Sequence, residues 1–227
     1  MVFGEIVEPS TRALIDEDLE EYPEYTESIP DWEGSTEPPG NIDTLIFIET
    51  GRVTGIFRNC VLGDQKANSK INNAGIEIFD ITAHKYLVVF TEKKEFTCGE
   101  IVELLDRWIR AAKHIYTITS ESIYSYQNVN LYEKPVSLVK ALSNDANSKG
   151  FGYSLLEPPN LVTGLGASVL SYCVHIKLKC NLFVMYVDTS PLDSLNMGPL
   201  LHLIKKLDIP LKNTDVRLSP SSSNLYM

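Results

Sequence analysis

The chain has 227 residues and is 44% hydrophobic, enough to bury one sizeable core without covalent staples. Its net charge of -10 is lopsided: residues 1–40 hold twelve acids and one base, while the rest carries nineteen bases against eighteen acids. A near-neutral globular part offers no basic stripe to displace counterions from phosphates, which argues against nucleic acid as a partner. The acidic, proline-bearing segment 1–40 reads as largely disordered, since such composition cannot repay the entropy of ordering.

Val2 to Val7 is an isolated strand candidate ahead of that acidic run, and Pro38-Pro39-Gly40 marks the expected boundary of the domain. Thr44–Glu49 is a nearly continuous apolar run of strand length, with Val53–Phe57 as a candidate hairpin partner. Gly75–Ile81 alternates like a half-exposed strand, and Tyr86–Phe90 looks buried on both faces. Thr97 and Glu100 have the spacing of a capping box, so a helix is expected from there to about residue 112, with Ile101, Leu104, Leu105, Trp108, Ile109 and Ala112 on one face. His114–Thr119 follows as a strand, Pro135–Leu142 as a short helix, and Ser143–Gly150 as a polar loop. Leu165–Leu178 predicts a long helix, apolar on most sides and largely buried. Cys180–Val187 is the strand it feeds, and Leu195–Leu207 a last helix ending in Lys205 and Lys206. Strands alternating with helices give an α/β fold, a layered αβα sandwich with a central, mostly parallel sheet. The domains expected are the segment 1–40, an α/β domain over 41–207 and a flexible tail over 208–227.

Chemistry-bearing patterns are sparse. Thr163-Gly164-Leu165-Gly166-Ala167 opens a helix like a truncated phosphate-binding turn, but it lacks the third glycine of a dinucleotide fingerprint and the Gly-Lys-Ser/Thr of a Walker loop. Tight packing of loop against sheet is the reading that pattern favours. Cys173, His175 and Cys180 do not have paired zinc-ligand spacing, and the four histidines form no His-x-x-x-His pair. No Gly-x-Ser-x-Gly elbow is present. No cofactor, metal or catalytic residue is implied. Glu5 interrupts the apolar run a signal peptide needs, and Leu182–Val187 is too short to span a bilayer, so the reading is a cytoplasmic protein with reduced thiols and no membrane partner.

The chain's last residues are Asn224-Leu225-Tyr226-Met227, after a Pro/Ser stretch that reads as a leash. Leu225, Tyr226 and the Met227 carboxylate together make a candidate peptide plug, with two apolar groups beside one anionic anchor. Two docking grammars fit. One is hydrophobic-Tyr-any, inserted between α-subunits of the 20S proteasome. The other is hydrophobic-any-hydrophobic, read by a PDZ groove; a plain solvated tail is the bland alternative.

Three stretches carry a family resemblance: Leu155-Leu156-Glu157-Pro158-Pro159-Asn160-Leu161-Val162 with Ala167–Cys173, Phe3-Gly4-Glu5-Ile6-Val7 with its acidic run, and the terminal Asn224–Met227. In these the chain resembles the proteasome assembly chaperone 1 family. The resemblance implies an α/β sandwich and a non-enzymatic chaperone that forms a heterodimer with proteasome assembly chaperone 2 and sits on the outer face of the 20S α-ring. It also implies roles at the tail: Leu225 in an intersubunit slot, Tyr226 at its rim, and the Met227 carboxylate on a pocket lysine. An α/β enzyme of nucleoside-processing type is the rival reading, and a pocket with convergent, pKa-shifted polar groups is what would favour it.

Overall fold

The computed structural model describes residues 28–49, 51–82, 84–91, 95–127, 136–145, 149–188 and 194–212. The strand candidate Val2–Val7 and the terminal Leu225, Tyr226 and Met227 lie outside them.

In chain order the elements are β1 (Trp32–Gly34), β2 (Ile42–Ile48), α1 (Gly51–Phe57, running into a π turn at Arg58–Leu62), β3 (Ser69–Ile71), β4 (Ile76–Thr82), β5 (Lys85–Phe90), α2 (Cys98–Leu104), α3 (Asp106–Ala111), β6 (Ala112–Ser122), β7 (Ser137–Ser143), a short 3-10 turn (Lys149–Gly152), α4 (Leu165–His175), β8 (Cys180–Val187) and α5 (Ser194–Lys206). The strands form one sheet in the order β1-β3-β4-β5-β2-β6-β8-β7. Its centre, β5-β2-β6-β8, is parallel, and the pairings outside that centre are antiparallel. The layered α/β architecture is the one the alternation of strands and helices predicts.

Helices cover both faces, which explains why β2 over Leu45–Ile48 and β8 over Leu182–Val187 read as continuous apolar runs instead of alternating ones. On one face Ile46, Ile48, Phe183 and Met185 pack against Val53, Ile56 and Phe57 of α1 and Leu200, Leu203 and Ile204 of α5. On the other, Leu45, Phe47 and Val88 meet Ile101, Leu105, Trp108 and Ile109 of α2 and α3, and Val169 and Cys173 of α4. The capping box at Thr97 and Glu100 is fully formed. The helix it starts breaks at Leu105, and the chain is already β6 by Ala112.

Three expectations need correction. Val53–Phe57 is helical and cannot be a hairpin partner of β2, whose neighbours on both sides are parallel. Val53, Ile56, Phe57, Cys60 and Val61 recur every three to four residues and bury one stripe on the sheet, a period that continues past the five residues read as a strand. The segment read as a helix over Pro135–Leu142 is the edge strand β7, antiparallel to β8. Its side chains alternate, Val139 and Ala141 toward α5 and Leu138 and Leu142 toward the opposite cluster. Helix α4 ends at His175 and buries one stripe only, Leu165, Gly166, Val169 and Cys173, leaving Val174 56% exposed. The described chain also starts before Gly40: β1 pairs with β3, and Asn72 and Asn73 bind Asp31 and Ile29 through backbone and side-chain hydrogen bonds.

Candidate functional site

Parallel strands leave their carboxyl ends as the place where an open α/β sheet gathers loops and helix N-termini. Here β2 ends into Glu49, β5 into Thr91, and β6 supplies Thr119 and Glu121, while Thr163 and Gly164 lead into α4. Between them lies a cavity of about 380 Å³, with Glu49, Thr54, Phe90, Thr119, Glu121 and Gly164 among its walls.

Glu49 organises this end of the molecule. It is only 6% exposed, and its carboxylate accepts the Leu165 amide at 2.6 Å and the Gly166 amide at 3.1 Å, the first free N–H groups of α4. Burial pushes its pKa up; the two amides and the Thr119 hydroxyl pull it down, and the Glu121 charge nearby adds to the rise. The glycines exist to admit this carboxylate. Gly164 has φ +93, and a Cβ there would stand 2.9 Å from Glu49 Oε2. One on Gly166 would stand 3.2 Å from Oε1 and 3.3 Å from Thr117 Oγ1. The Gly-x-Gly that resembled a phosphate turn is thus a packing device, and the anion at the helix N-terminus is the chain's own.

The stretch Leu155–Val162 is held as a rigid turn. Tyr126 donates its hydroxyl proton to Glu157, Lys140 Nζ donates to the same carboxylate at 2.9 Å, and Asn160 bonds Gln127 through both backbone groups at 2.8 Å. The Pro158-Pro159 peptide is cis. The turn leaves Leu161 86% and Leu155 59% exposed.

Cys173 and Cys180 meet in the core, where a hydrogen bond between the thiols and their burial push Cys180 well up, whereas His175 is exposed at the helix end. Among the described residues no group of three or more His, Cys, Asp or Glu could hold a metal ion, and no helix is long and apolar enough to cross a membrane.

The tail departs from a defined place. Lys212 is tied down beside the π turn, its amide to Cys60 O at 2.8 Å and its Nζ to Leu62 O at 3.0 Å and Gln65 Oε1 at 2.8 Å. Fifteen residues follow to Met227, a reach of about 50 Å when extended.

Residues 90–221 match the family model described as Proteasome assembly chaperone 4. The chain belongs to the proteasome assembly chaperone family. It is 34% identical over 108 residues to proteasome assembly chaperone 1 of Xenopus laevis, an alignment that spans 42% of this chain and 37% of that relative. Among solved structures the fold is similar to Pyrococcus furiosus PbaA, an archaeal homolog of proteasome-assembly chaperone, with a TM-score of 0.58, 9% identity, and 79% of this chain and 82% of that one covered. Pyrococcus furiosus PbaB, an archaeal proteasome activator, gives 0.52, 10% identity, and 79% and 89%. At such identities these two speak for a shared fold alone. The proteasome assembly chaperone match takes in β6 to β8, α4 with its Glu49-filled N-terminus, the rigid Leu155–Val162 turn and α5, and it stops short of Leu225.

The seat of Glu49 escaped sequence reasoning. An acid closing the apolar run Leu45–Ile48 was the visible signal, but its partners lie 116 and 117 residues away and no local pattern connects them.

Proposed function

We propose that this chain is a non-enzymatic chaperone of 20S proteasome assembly, working in the cytoplasm as a heterodimer with proteasome assembly chaperone 2 on the outer face of the α-ring. The family match over residues 90–221 is the observation that carries this reading. Leu225 and Tyr226 fill a pocket between α-subunits and the Met227 carboxylate anchors the end, as hydrophobic-Tyr-any docking requires. The anchoring of Lys212 supports it, because a leash tied at the α1 and α5 face can carry its end well beyond the domain. So short a plug binds weakly alone, and the domain and the partner's tail add avidity through effective concentration. The exposed Leu161, Leu155 and Val174 are apolar surface that a partner subunit would cover.

Capture of 20S α-subunits by the heterodimer, with the partner's own tail removed, tests the docking. Tyr226→Ala should weaken capture by about thirtyfold, the loss of one buried aromatic anchor at about 2 kcal/mol, and Met227→Ser only slightly. A PDZ groove would reverse that order, and undiminished capture by the Tyr226→Ala variant would reduce the tail to a leash.

A further inference from the structure

The topology gives the two ends of the sheet opposite charge. Strands β2, β6 and β8 finish on or beside Glu49, Glu121 and Asp188, whereas β5, β6 and β8 begin on or beside Lys85, Lys113 and Lys179. Helices α4 and α5 run back from the carboxyl end and bring Lys177, Lys205 and Lys206 to the amino end. There Lys85 Nζ bonds Asp208 Oδ2 at 2.7 Å, just past α5. Gln65 donates to the carbonyl of Asp80, which pairs with Tyr86 near the start of β5, and this sets Lys66 at the same end. Asp43, Asp145 and Asp208 are each taken up by a lysine, Lys113, Lys179 and Lys85. Lys66, Lys177, Lys205 and Lys206 are exposed and form no ion pair among the described residues, the last donating to the Phe151 carbonyl at 2.9 Å. The dipole of α5 accounts for Lys205 and Lys206 in its last turn, but not for Lys66, which belongs to a loop.

We propose that the chain's own acidic stretch, Asp16-Glu17-Asp18-Leu19-Glu20-Glu21, lies across this amino end as an electrostatic cover over the root of the tail. Charge complementarity carries it: residues 8–27 hold eight acids and one base, Arg12, and face lysines that no acid of the domain neutralises. The stretch joins the domain at the opposite end. Asn73, in the turn between β3 and β4, binds the Ile29 carbonyl, and Ile76 just after that turn pairs with Phe90 at the carboxyl end of β5. Asp31 and Glu33 there have the same sign as the stretch and do not hold it. Twelve residues separate Asp16 from Ser28, a reach of about 40 Å when extended, against about 23 Å for a seven-residue strand such as β2. Lys212, where the tail departs, bonds Gln65 beside Lys66, so the cover and the tail share one end of the molecule. Each exposed pair is weak and screened by salt, and tethering lets several act together through effective concentration. The contact is an exchange among charged side chains, not a folded element, and adds little to thermal stability at physiological salt. It needs no partner subunit, so it stands apart from the docking proposed above.

Acetylation of the folded full-length chain by an N-hydroxysuccinimide ester, read lysine by lysine in a mass spectrometer, tests the cover. The variant Asp16→Asn, Glu17→Gln, Asp18→Asn, Glu20→Gln, Glu21→Gln changes no residue of the described domain. It should label Lys66, Lys205 and Lys206 several-fold faster than the unaltered chain at about 20 mM salt, and the difference should largely vanish at about 0.5 M. A carbodiimide, which joins a carboxylate to an amine in contact with it, should link Asp16–Glu21 to the same three lysines. In an equal mixture of heavy- and light-isotope chains those links should fall within one chain. Lys205→Glu with Lys206→Glu should remove them and speed the labelling of Lys66. Equal labelling rates in the neutralised and unaltered chains overturn the cover. So does a change confined to Lys70, which pairs with Glu33 of β1 near the root of the stretch, because the stretch would then stay at the carboxyl end. Links between heavy and light chains overturn it as well, by placing the stretch on a second copy.

Discussion

Glu49 is a side chain whose energetics can be read from geometry. Two amides at the start of α4 have it as their acceptor, so Glu49→Ala should orphan both and cost about 2 kcal/mol, measured as a shift in the urea midpoint with unchanged slope. Its titration gives a second, signed expectation. Burial raises the folded-state pKa above the ordinary 4.5, so between that value and the folded one the native state holds more proton than the unfolded chain. Stability then falls as pH rises through that window. Glu49→Gln should remove this contribution and flatten that part of the stability-versus-pH profile. An unchanged slope in the variant would mean that the two donated amides and the Thr119 hydroxyl cancel desolvation.

At the scale of elements, short helices depend on their ends. Helix α2 has seven residues, below the length at which propensity alone sustains a helix. It persists because Ile101 and Val102 are buried and because Thr97 Oγ1 accepts the Glu100 amide at 3.3 Å while Glu100 Oε2 accepts the Thr97 amide at 2.7 Å. Thr97→Ala should therefore lower stability by about 1 kcal/mol, with Thr97→Ser recovering most of it, both read from denaturant midpoints. This capping box was legible from four consecutive letters. The edge strand β7 was not. Ser-Leu-Val-Lys-Ala-Leu-Ser has good helix formers at most positions, and pairing with β8 overrode that preference once Val139 and Ala141 found the α5 side of the sheet.

For the whole molecule, the question is where folding begins along the chain. β1 closes the far edge of the sheet with a half-buried Trp32, and Asn73 bonds both the Asp31 amide at 2.9 Å and the Ile29 carbonyl at 2.8 Å. Removing residues 1–27 should leave the thermal unfolding temperature within about 1 °C, whereas removing 1–40 should cost about 2 kcal/mol for the lost aromatic burial and hydrogen bonds. Equal effects of the two truncations would mean that the segment 28–40 adds nothing to the domain.

Sequence by itself determined the strands of the parallel centre, the capped helix, the last two helices and the layered α/β class. Each of these is written in local periodicity: runs such as Leu182–Val187 are apolar throughout because both faces are covered, and caps act over three residues. The family resemblance was legible in the same way, as a contiguous pattern around Leu155–Cys173. Tertiary structure alone decided that Val53–Phe57 is a helix, that Ser137–Ser143 is an edge strand, and that Gly164 and Gly166 serve Glu49. Those outcomes rest on contacts between residues far apart in sequence, and burial of one stripe against a sheet, or of one carboxylate against a helix N-terminus, outweighs the few tenths of a kcal/mol per residue that local propensity supplies.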